Sequence, residues 1–254
     1  MIKFFRNIRQ SLIIENKTSN YFKYAIGEIA LVVIGILIAL QINNWNEGRK
    51  QSLSTKISIK SIISDLQKDS IQLRNEIDNI ESDIHMLSGF RDRLSKPTAT
   101  LDTLKQIARY EYIPFFDPSN ELNRNTIISL LSTGNIEYLD EDLKSVILSH
   151  NSEQLKLIKI MDENVSIFLN SQYNQGLILE SEIPGPFESP AFIKGPLLEK
   201  YWSDMDDKQF LYSMISKISG KTLMDQILLS SKNELLVKTN ETLAYLNDFM
   251  KKYD

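Results

Sequence analysis

The sequence predicts an all-α protein: an N-terminal transmembrane helix, followed by a long heptad-patterned helix and a helical bundle. Glycine and proline are few, nine and seven among 254 residues, which favours long regular elements. Residues 29–40 contain no polar side chain. Between residues 59 and 94, apolar side chains recur at alternating spacings of four and three, the pattern of a helix with one buried side.

Composition and charge narrow the functional classes. Hydrophobic residues make up 42% of the chain and charged residues 24%, values typical of globular proteins. The absence of cysteine excludes disulfides and thiolate metal sites. The net charge is −4, but residues 1–24 hold five Lys or Arg against one Glu, so the remainder carries −8. A basic leader suits anionic membrane lipid, and an acidic body without a basic stripe disfavours nucleic acid as a partner.

Residues 1–24 form a basic N-terminal segment. Over residues 2–13, apolar side chains fall on one side of a helical wheel, and most of the basic and polar ones fall on the other. This pattern is typical of an amphipathic helix that lies in the lipid headgroup region. A disordered basic tail is the alternative interpretation.

Residues 25–43 form the predicted transmembrane helix. The apolar run at 29–40 extends to about 18 residues, which span roughly 27 Å and suffice for a hydrocarbon core. Tyr24 and Trp45 flank the run, as expected of aromatic residues at membrane interfaces. A cleaved signal peptide and a buried core helix are the alternatives. We favour an uncleaved anchor because no small-x-small cleavage site follows the run.

The orientation of the anchor follows from its flanking charges. Five Lys or Arg precede the span and four follow within about 18 residues, so the positive-inside rule slightly favours a cytoplasmic N-terminus. We therefore expect a single-pass membrane protein with its N-terminus in the cytoplasm and its C-terminal domain outside the cytoplasm.

Four residues of the span form a possible transmembrane interface: Gly27, Glu28, Gly35 and Ala39. Gly35 and Ala39 are a small-x-x-x-small pair, which allows close approach of a second helix. A carboxylate such as that of Glu28 is costly in hydrocarbon and usually has a partner or a role. The prediction is self-association, or contact with another membrane protein, through this helix. The alternative is a glutamate at the membrane interface beside ordinary membrane glycines.

Residues 44–97 are predicted to form one long helix with a heptad seam, which Pro97 closes. A coiled coil and a bundle both explain the seam. In a parallel homodimer Glu76 and Glu81 would face each other as like charges, so we expect the protein's own later helices to cover the seam. The seam comprises Ile59, Ile63, Leu66, Leu73, Ile77, Ile80, Ile84, Leu87 and Leu94, with Ser70 and Arg91 in its two polar places.

Residues 98–254 are predicted to form a helical bundle packed on that long helix. The first helix covers residues 101–110, and Ser119 is placed to cap the next, which should run to Leu131 and stop at Gly134. Asp140 is placed to cap a long helix whose apolar stripe includes His150.

The second half of the bundle starts after a connection over residues 176–200, which contains four of the seven prolines. Helices are predicted to resume at residues 204–218 and again at residues 221–251. The predicted apolar stripe of the last helix is Leu223, Ile227, Leu243, Leu246 and Met250.

No catalytic, cofactor-binding or metal-binding residue is predicted. The two histidines, His85 and His150, are too few for a histidine metal site and suit ordinary packing. Acidic clusters at residues 140–142 and 204–207 open predicted helices, where carboxylates cap free N–H groups. No nucleotide-binding or serine-hydrolase motif is present.

The stretch from Tyr24 to Glu47, YAIGEIALVVIGILIALQINNWNE, resembles the hallmark of an uncharacterised family of Bacteroidota membrane proteins, domain of unknown function 6090. The opening MIKFFRNIRQ and the turn at residues 132–136 are similar to the same family. The resemblance implies an anchor in the bacterial cytoplasmic (inner) membrane with a helical domain. Combined with the orientation expected from the flanking charges, it places the C-terminal domain on the periplasmic side. It implies no activity and brings no site residue.

Together these observations favour a non-enzymatic, membrane-anchored binding or scaffold module. A sensor-like version predicts a pocket between helices, and a scaffold predicts exposed apolar surface. One alternative is an enzyme with an unrecognised carboxylate or serine site, which requires polar side chains converging in a concave pocket. Another is an accessory subunit assembled through the transmembrane helix.

Overall fold

The computed structural model describes residues 18–112, 121–173 and 195–251. Within these ranges the chain forms α-helices and one 3-10 helix and no strand, which confirms the all-α class. The α-helices are α1 (Thr18–Leu94), α2 (Leu101–Tyr110), α3 (Asn125–Thr133), α4 (Glu141–Tyr173), α5 (Pro196–Asp204) and α6 (Asp207–Lys251), and the 3-10 helix covers Asn135–Tyr138. The predicted amphipathic helix of residues 2–13 lies outside the described residues.

The chain divides into two compact units, Met1–Ile57 and Ser58–Asp254, and the boundary falls within α1. The helix is uninterrupted where the predicted transmembrane helix meets the predicted heptad helix. Two arginines, Arg91 and Arg93, occupy the last turn of α1, where cations suit the negative end of the helix dipole.

The second unit is organised around three long helices: residues 58–94 of α1, α4 and α6. Side-chain contacts fix their directions. Asp83 meets Lys221 and Ser70 meets Asn240, so α6 runs antiparallel to α1. His150 meets Thr239 and Lys156 meets Glu234, so α6 also runs antiparallel to α4. Consequently α1 and α4 are parallel.

The heptad seam of α1 is buried by the later helices, as expected. Near residue 58 it packs in a cluster that includes Leu143 of α4 and Leu246 of α6. At the other end Leu87 packs with Ile107 of α2 and Met214 of α6. Off-seam residues are buried as well, since Ile62 and Phe90 are 6% and 3% exposed. A buried face wider than a two-per-heptad stripe is typical of a bundle helix.

The helices α2 and α3 test two predicted boundaries. The bounds of α2 are those predicted, 101–110. Helix α3 ends as predicted, because Gly134 adopts a left-handed conformation with φ of 72° that suits glycine. Its predicted start is wrong: α3 begins at Asn125, and residues 121–124 are not helical. Ser119, the predicted cap, lies outside the described residues.

Each acidic cluster contributes one helix cap, as predicted, although Asp204 ends α5 and pairs with Lys200 instead of opening a helix. The Asp140 carboxylate accepts a hydrogen bond from the Leu143 backbone N–H at 2.8 Å, at the start of α4. The Asp206 carboxylate accepts one from the Gln209 N–H at 2.7 Å, at the start of α6. These bonds satisfy backbone donors that have no partner within the first helical turn.

The end of the chain differs from the prediction in two respects. Helix α5 begins at Pro196, inside the stretch predicted to be a connection, because proline at a first helical position needs no N–H partner. Helix α6 is a single helix, so the predicted break near residue 220 is wrong. Gly220 costs about 1 kcal/mol in a helix, and burial of the nearby Ile218, worth about 1.5–3 kcal/mol, outweighs that cost.

Candidate functional site

The four residues of the predicted transmembrane interface all lie in α1, within the first unit. Gly35 and Ala39 are one turn apart, and Glu28 precedes Gly35 by two turns, so these three share a face. Gly27 lies about 80° around the helix from Gly35. Gly27, Gly35 and Ala39 are exposed, and no atom of another residue lies within 4 Å of a Cβ built at either glycine.

The same part of α1 exposes a continuous apolar surface. Eleven large apolar side chains between residues 26 and 42 are 47–65% exposed. They are Ile26, Ile29, Leu31, Val32, Val33, Ile34, Ile36, Leu37, Ile38, Leu40 and Ile42. By length and composition this segment is able to cross a membrane, and none of its most apolar 18-residue stretch is buried.

In the second unit, α1 carries three carboxylates one heptad apart on the side that faces the bundle: Asp69, Glu76 and Asp83. Asp69 is 1% exposed. One of its oxygens accepts hydrogen bonds from the Asn123 backbone and side-chain amides, both at 2.8 Å. The other accepts from the Gln154 side-chain amide at 2.7 Å. This carboxylate therefore joins α1, α4 and the segment that leads into α3.

Two further contacts hold the start of α3 in place. The Arg124 guanidinium donates two hydrogen bonds to the Asn151 side-chain oxygen, at 2.9 and 3.2 Å. The Thr126 hydroxyl donates to the Asp65 carboxylate. Each of these polar groups is hydrogen-bonded to a neighbour in the bundle, as in a network that stabilises the fold.

His150 is part of the same buried layer, with its Nε2 3.0 Å from the Thr239 hydroxyl oxygen. The Thr239 hydroxyl donates its own proton to the Leu235 carbonyl at 2.8 Å, so His150 Nε2–H must be the donor to it. Burial, helped by the positive charge of Lys238, lowers the pKa of His150 to about 4. The ring is therefore neutral at pH 7 and serves packing, as predicted. His85 is exposed.

A small cleft opens beside this polar layer, with a free volume of about 20 Å³. Its polar lining comes from α1, α3, α4 and α6 and from the segment before α3: Asp65, Asn123, Thr126, His150, Gln154 and Thr242. The volume suits about one water molecule and is far below the few hundred Å³ of a typical small-molecule site.

Two buried lysines on α6 contact the other two carboxylates of α1, Glu76 and Asp83. Lys232 is 2% exposed, and its Nζ lies 2.5 Å from a Glu76 carboxylate oxygen and 3.8 Å from the Met161 sulfur. The side chain of Lys221 is fully buried, and its Nζ lies 2.8 Å from Asp83 and 3.3 Å from Asp225. Each lysine meets a carboxylate from α1, which is how a bundle tolerates buried charge.

The burial of these two lysines was not predicted from the sequence. The predicted apolar stripe of the last helix was Leu223, Ile227, Leu243, Leu246 and Met250. Leu246 and Met250 are buried as predicted, but Leu223 is 58% exposed, and at that level of α6 the buried face carries Lys221, Asp225 and Lys232. The available signal was the spacing: carboxylates repeat every seven residues on α1, and the lysines stand eleven residues apart on α6. Both spacings return to one face of a helix.

Within the described ranges, no three His, Asp or Glu side chains come close enough together to hold a metal ion. The carboxylates of the bundle instead pair with lysines and amides, as detailed above. Their arrangement supplies packing and register between helices.

Comparison with known proteins adds one finding. Residues 28–114 match the model of a family described only as a family of unknown function (DUF6090). The match confirms the family resemblance over that stretch, about a third of the chain. It runs from Glu28 through the whole of α2 and includes Gly35 and Ala39. No curated protein and no solved structure matches the chain.

Proposed function

We propose that this chain is a non-enzymatic binding or scaffold module, anchored in the bacterial cytoplasmic membrane by a single transmembrane helix at residues 25–43. The N-terminus lies in the cytoplasm and the helical unit Ser58–Asp254 in the periplasm. The observation that carries the proposal is the run of eleven exposed apolar side chains between residues 26 and 42.

Energetics support a membrane around this run. Burying one such side chain fully is worth about 1.5–3 kcal/mol, so covering eleven half-exposed ones is worth on the order of 10 kcal/mol. The core helix of a soluble protein would be mostly buried, whereas this segment is not. Trp45 is 69% exposed directly after the segment, where an interfacial aromatic is expected.

Membrane extraction tests the anchor. Wild-type protein should stay with the membrane pellet after alkaline carbonate washing. The double variant Ile34→Arg, Ile38→Arg should pass largely into the supernatant, because each arginine near the bilayer centre costs about 2.5–3.5 kcal/mol. The matched control is Leu223→Arg, Val237→Arg, at two exposed apolar positions of α6, which should stay in the pellet. Release of the wild type, or equal behaviour of the two variants, would contradict the anchor.

The cysteine-free sequence gives a clean test of orientation. Ser230 is exposed on α6, so Ser230→Cys should react with a membrane-impermeant maleimide in intact spheroplasts. Ser11→Cys should react only after the membrane is broken. The opposite labelling pattern would reverse the proposed orientation without affecting the anchor.

We also propose that this helix self-associates through Gly35 and Ala39. An accessory membrane subunit would assemble with its partner through the same face. Gly35→Ile introduces a side chain into open space in the single chain, so it leaves the fold unchanged. In an Asn46→Cys background it should lower oxidative crosslinking several-fold, because the bulkier residue separates the helices. Ala30→Ile, on the opposite side of the helix, is the control. Equal crosslinking in both variants would rule out this face.

The hydrogen bonding of the polar side chains within the bundle favours a binding function over a catalytic one. Asp69, Gln154 and Arg124 are hydrogen-bonded to partners within the bundle, and the cleft beside them has room for about one water. Among the described residues, this cleft therefore leaves no space for a substrate-sized molecule. The enzyme alternative therefore gains no support from the described residues.

Exposed apolar side chains favour a scaffold over a sensor. Leu211, Tyr212 and Ile215 are 38%, 64% and 49% exposed, and their spacing places them together on one side of α6. Leu197 on α5 is 69% exposed. Apolar surface of this kind is typical of contact sites for other macromolecules.

A further inference from the structure

The Lys221 ammonium lies between two carboxylates, in the layer where α6 packs against α1. Asp225 contacts it from one turn further along α6, and Asp83 contacts it from α1. Lys221 and Asp225 are fully buried, whereas the Asp83 side chain is 38% exposed. One oxygen of Asp225, Oδ1, is buried and has no hydrogen-bond partner among the described residues.

The groups around Asp225 come from each helix at this level. Asp83 faces it from α1, and Tyr112, which follows α2, lies near enough to feel its charge. The Tyr112 hydroxyl donates a hydrogen bond to the Lys217 carbonyl at 3.2 Å. From α4 the neighbours are apolar, since Ile160 and Met161 pack against Met224 and Leu228 on α6. The ammonium group that contacts Asp225 is that of Lys221, which also contacts Asp83, and the side chain of Lys217 is buried one turn before Lys221 on α6.

This arrangement has a simple electrostatic consequence. A half-exposed carboxylate such as Asp83 remains hydrated while it pairs with Lys221. The Oδ1 atom of Asp225 is buried away from solvent, and Asp225 also feels the like charge of Asp83. Desolvation by burial, reinforced by that like charge, raises the pKa of Asp225 to about 6.

We propose that the Asp225–Lys221–Asp83 cluster is a proton-responsive contact that tightens the packing of α6 on α1 and α2 when Asp225 takes up a proton. The neutral carboxyl no longer competes with Asp83 for the lysine, and its buried oxygens carry no charge. The device belongs to the second unit alone, so it does not depend on the membrane topology proposed above. In a periplasmic domain it would respond to the acidity of the cell's surroundings.

The sign of the effect follows from proton binding. An unfolded aspartate has a pKa near 3.9, below that of folded Asp225. Between those two values the folded state binds more protons than the unfolded state, so this group stabilises the fold at low pH. That stability is lost as the pH rises through about 6. Other carboxylates act in the opposite direction in acid, so the test must compare variants.

The experiment is urea unfolding of the full chain in detergent micelles, followed by helical circular dichroism between about pH 5 and about pH 7.5. The variant is Asp225→Asn, which removes the titrating group but keeps its shape. On acidification the unfolding constant of the wild type, relative to that of the variant, should fall about tenfold. An unchanged ratio across this range would overturn the proposal.

Two further variants guard against a folding failure of Asp225→Asn. Asp83→Asn removes the neighbouring like charge, so the pH at which stability changes should move lower. Asp92→Asn, at an exposed position of α1, should leave it in place. A shift with Asp83→Asn alone supports the cluster, and equal profiles for the two variants would contradict it.

Discussion

Replacing Lys221 with methionine is expected to lower the free energy of unfolding by about 3–5 kcal/mol. Methionine fills nearly the same space, but it leaves the Asp225 carboxylate buried without its ammonium partner. The lysine side chain is fully buried, so water cannot take the place of the lost contact. Urea unfolding of the full chain in micelles at neutral pH measures the loss, as a shift in midpoint at constant slope.

The paired variant separates charge from packing. Lys221→Met combined with Asp225→Leu removes both buried charges and should recover most of the lost stability, because apolar replacements of buried ion pairs are often neutral or stabilising. The exposed pair Lys200–Asp204 on α5 gives the control: Lys200→Met should change stability by less than about 1 kcal/mol. A tolerated Lys221→Met, or a double variant as unstable as the single one, would refute the buried-charge account.

The seam of α1 and two helix caps were predicted correctly from local sequence pattern. The seam of α1 repeats over five heptads, and a helix that long must bury its apolar side somewhere. Asp140 and Gly134 act through their own backbone neighbours, so their roles as caps are visible within a few residues. Neither prediction required knowledge of a distant segment.

The features that were missed depend on distant partners. Lys221 looks like a solvent-exposed residue until Asp83, 138 residues earlier, is placed beside it. Its burial turns α6 so that Leu223 faces outwards, against the stripe predicted from hydrophobicity alone. Hydrophobic periodicity assigns charged residues to the exposed side of a helix, so it assigns a buried ion pair to the wrong side.

The start of α3 was also predicted wrongly because it depends on contacts with distant residues. Residues 119–124 permit a helix locally, and Ser119 is a good capping residue. In the structure the Asn123 N–H and side chain are bound by Asp69, and Arg124 is bound by Asn151. These tertiary contacts outweigh a propensity difference of a few tenths of a kcal/mol per residue, so the helix starts later.

For the membrane segment, composition carries most of the information. An apolar run of sufficient length is readable directly, since a bilayer requires about 20 apolar residues. Orientation depends on a difference between nearly balanced flanking charges. Partner choice depends on which face of the helix another chain covers. Both properties depend on the membrane and on partner chains, so the sequence of a single chain does not determine them.

The buried Asp69 network predicts the other large stability effect. Asp69→Ala should lower the free energy of unfolding by about 3–5 kcal/mol, because the Asn123 and Gln154 donors lose their shared acceptor inside the bundle. The loss should be local as well as global: hydrogen exchange should rise first in α3, whose leading segment this carboxylate holds.

Asp78→Ala, at an exposed position of the same helix, is the matched control and should cost less than about 1 kcal/mol. Asp69→Asn gives a finer comparison, because an amide oxygen still accepts hydrogen bonds but its NH₂ group meets donors instead of acceptors. We expect Asp69→Asn to fall between the control and Asp69→Ala. If Asp69→Ala matched Asp78→Ala in stability and in the exchange of α3, the carboxylate would not be what positions that helix.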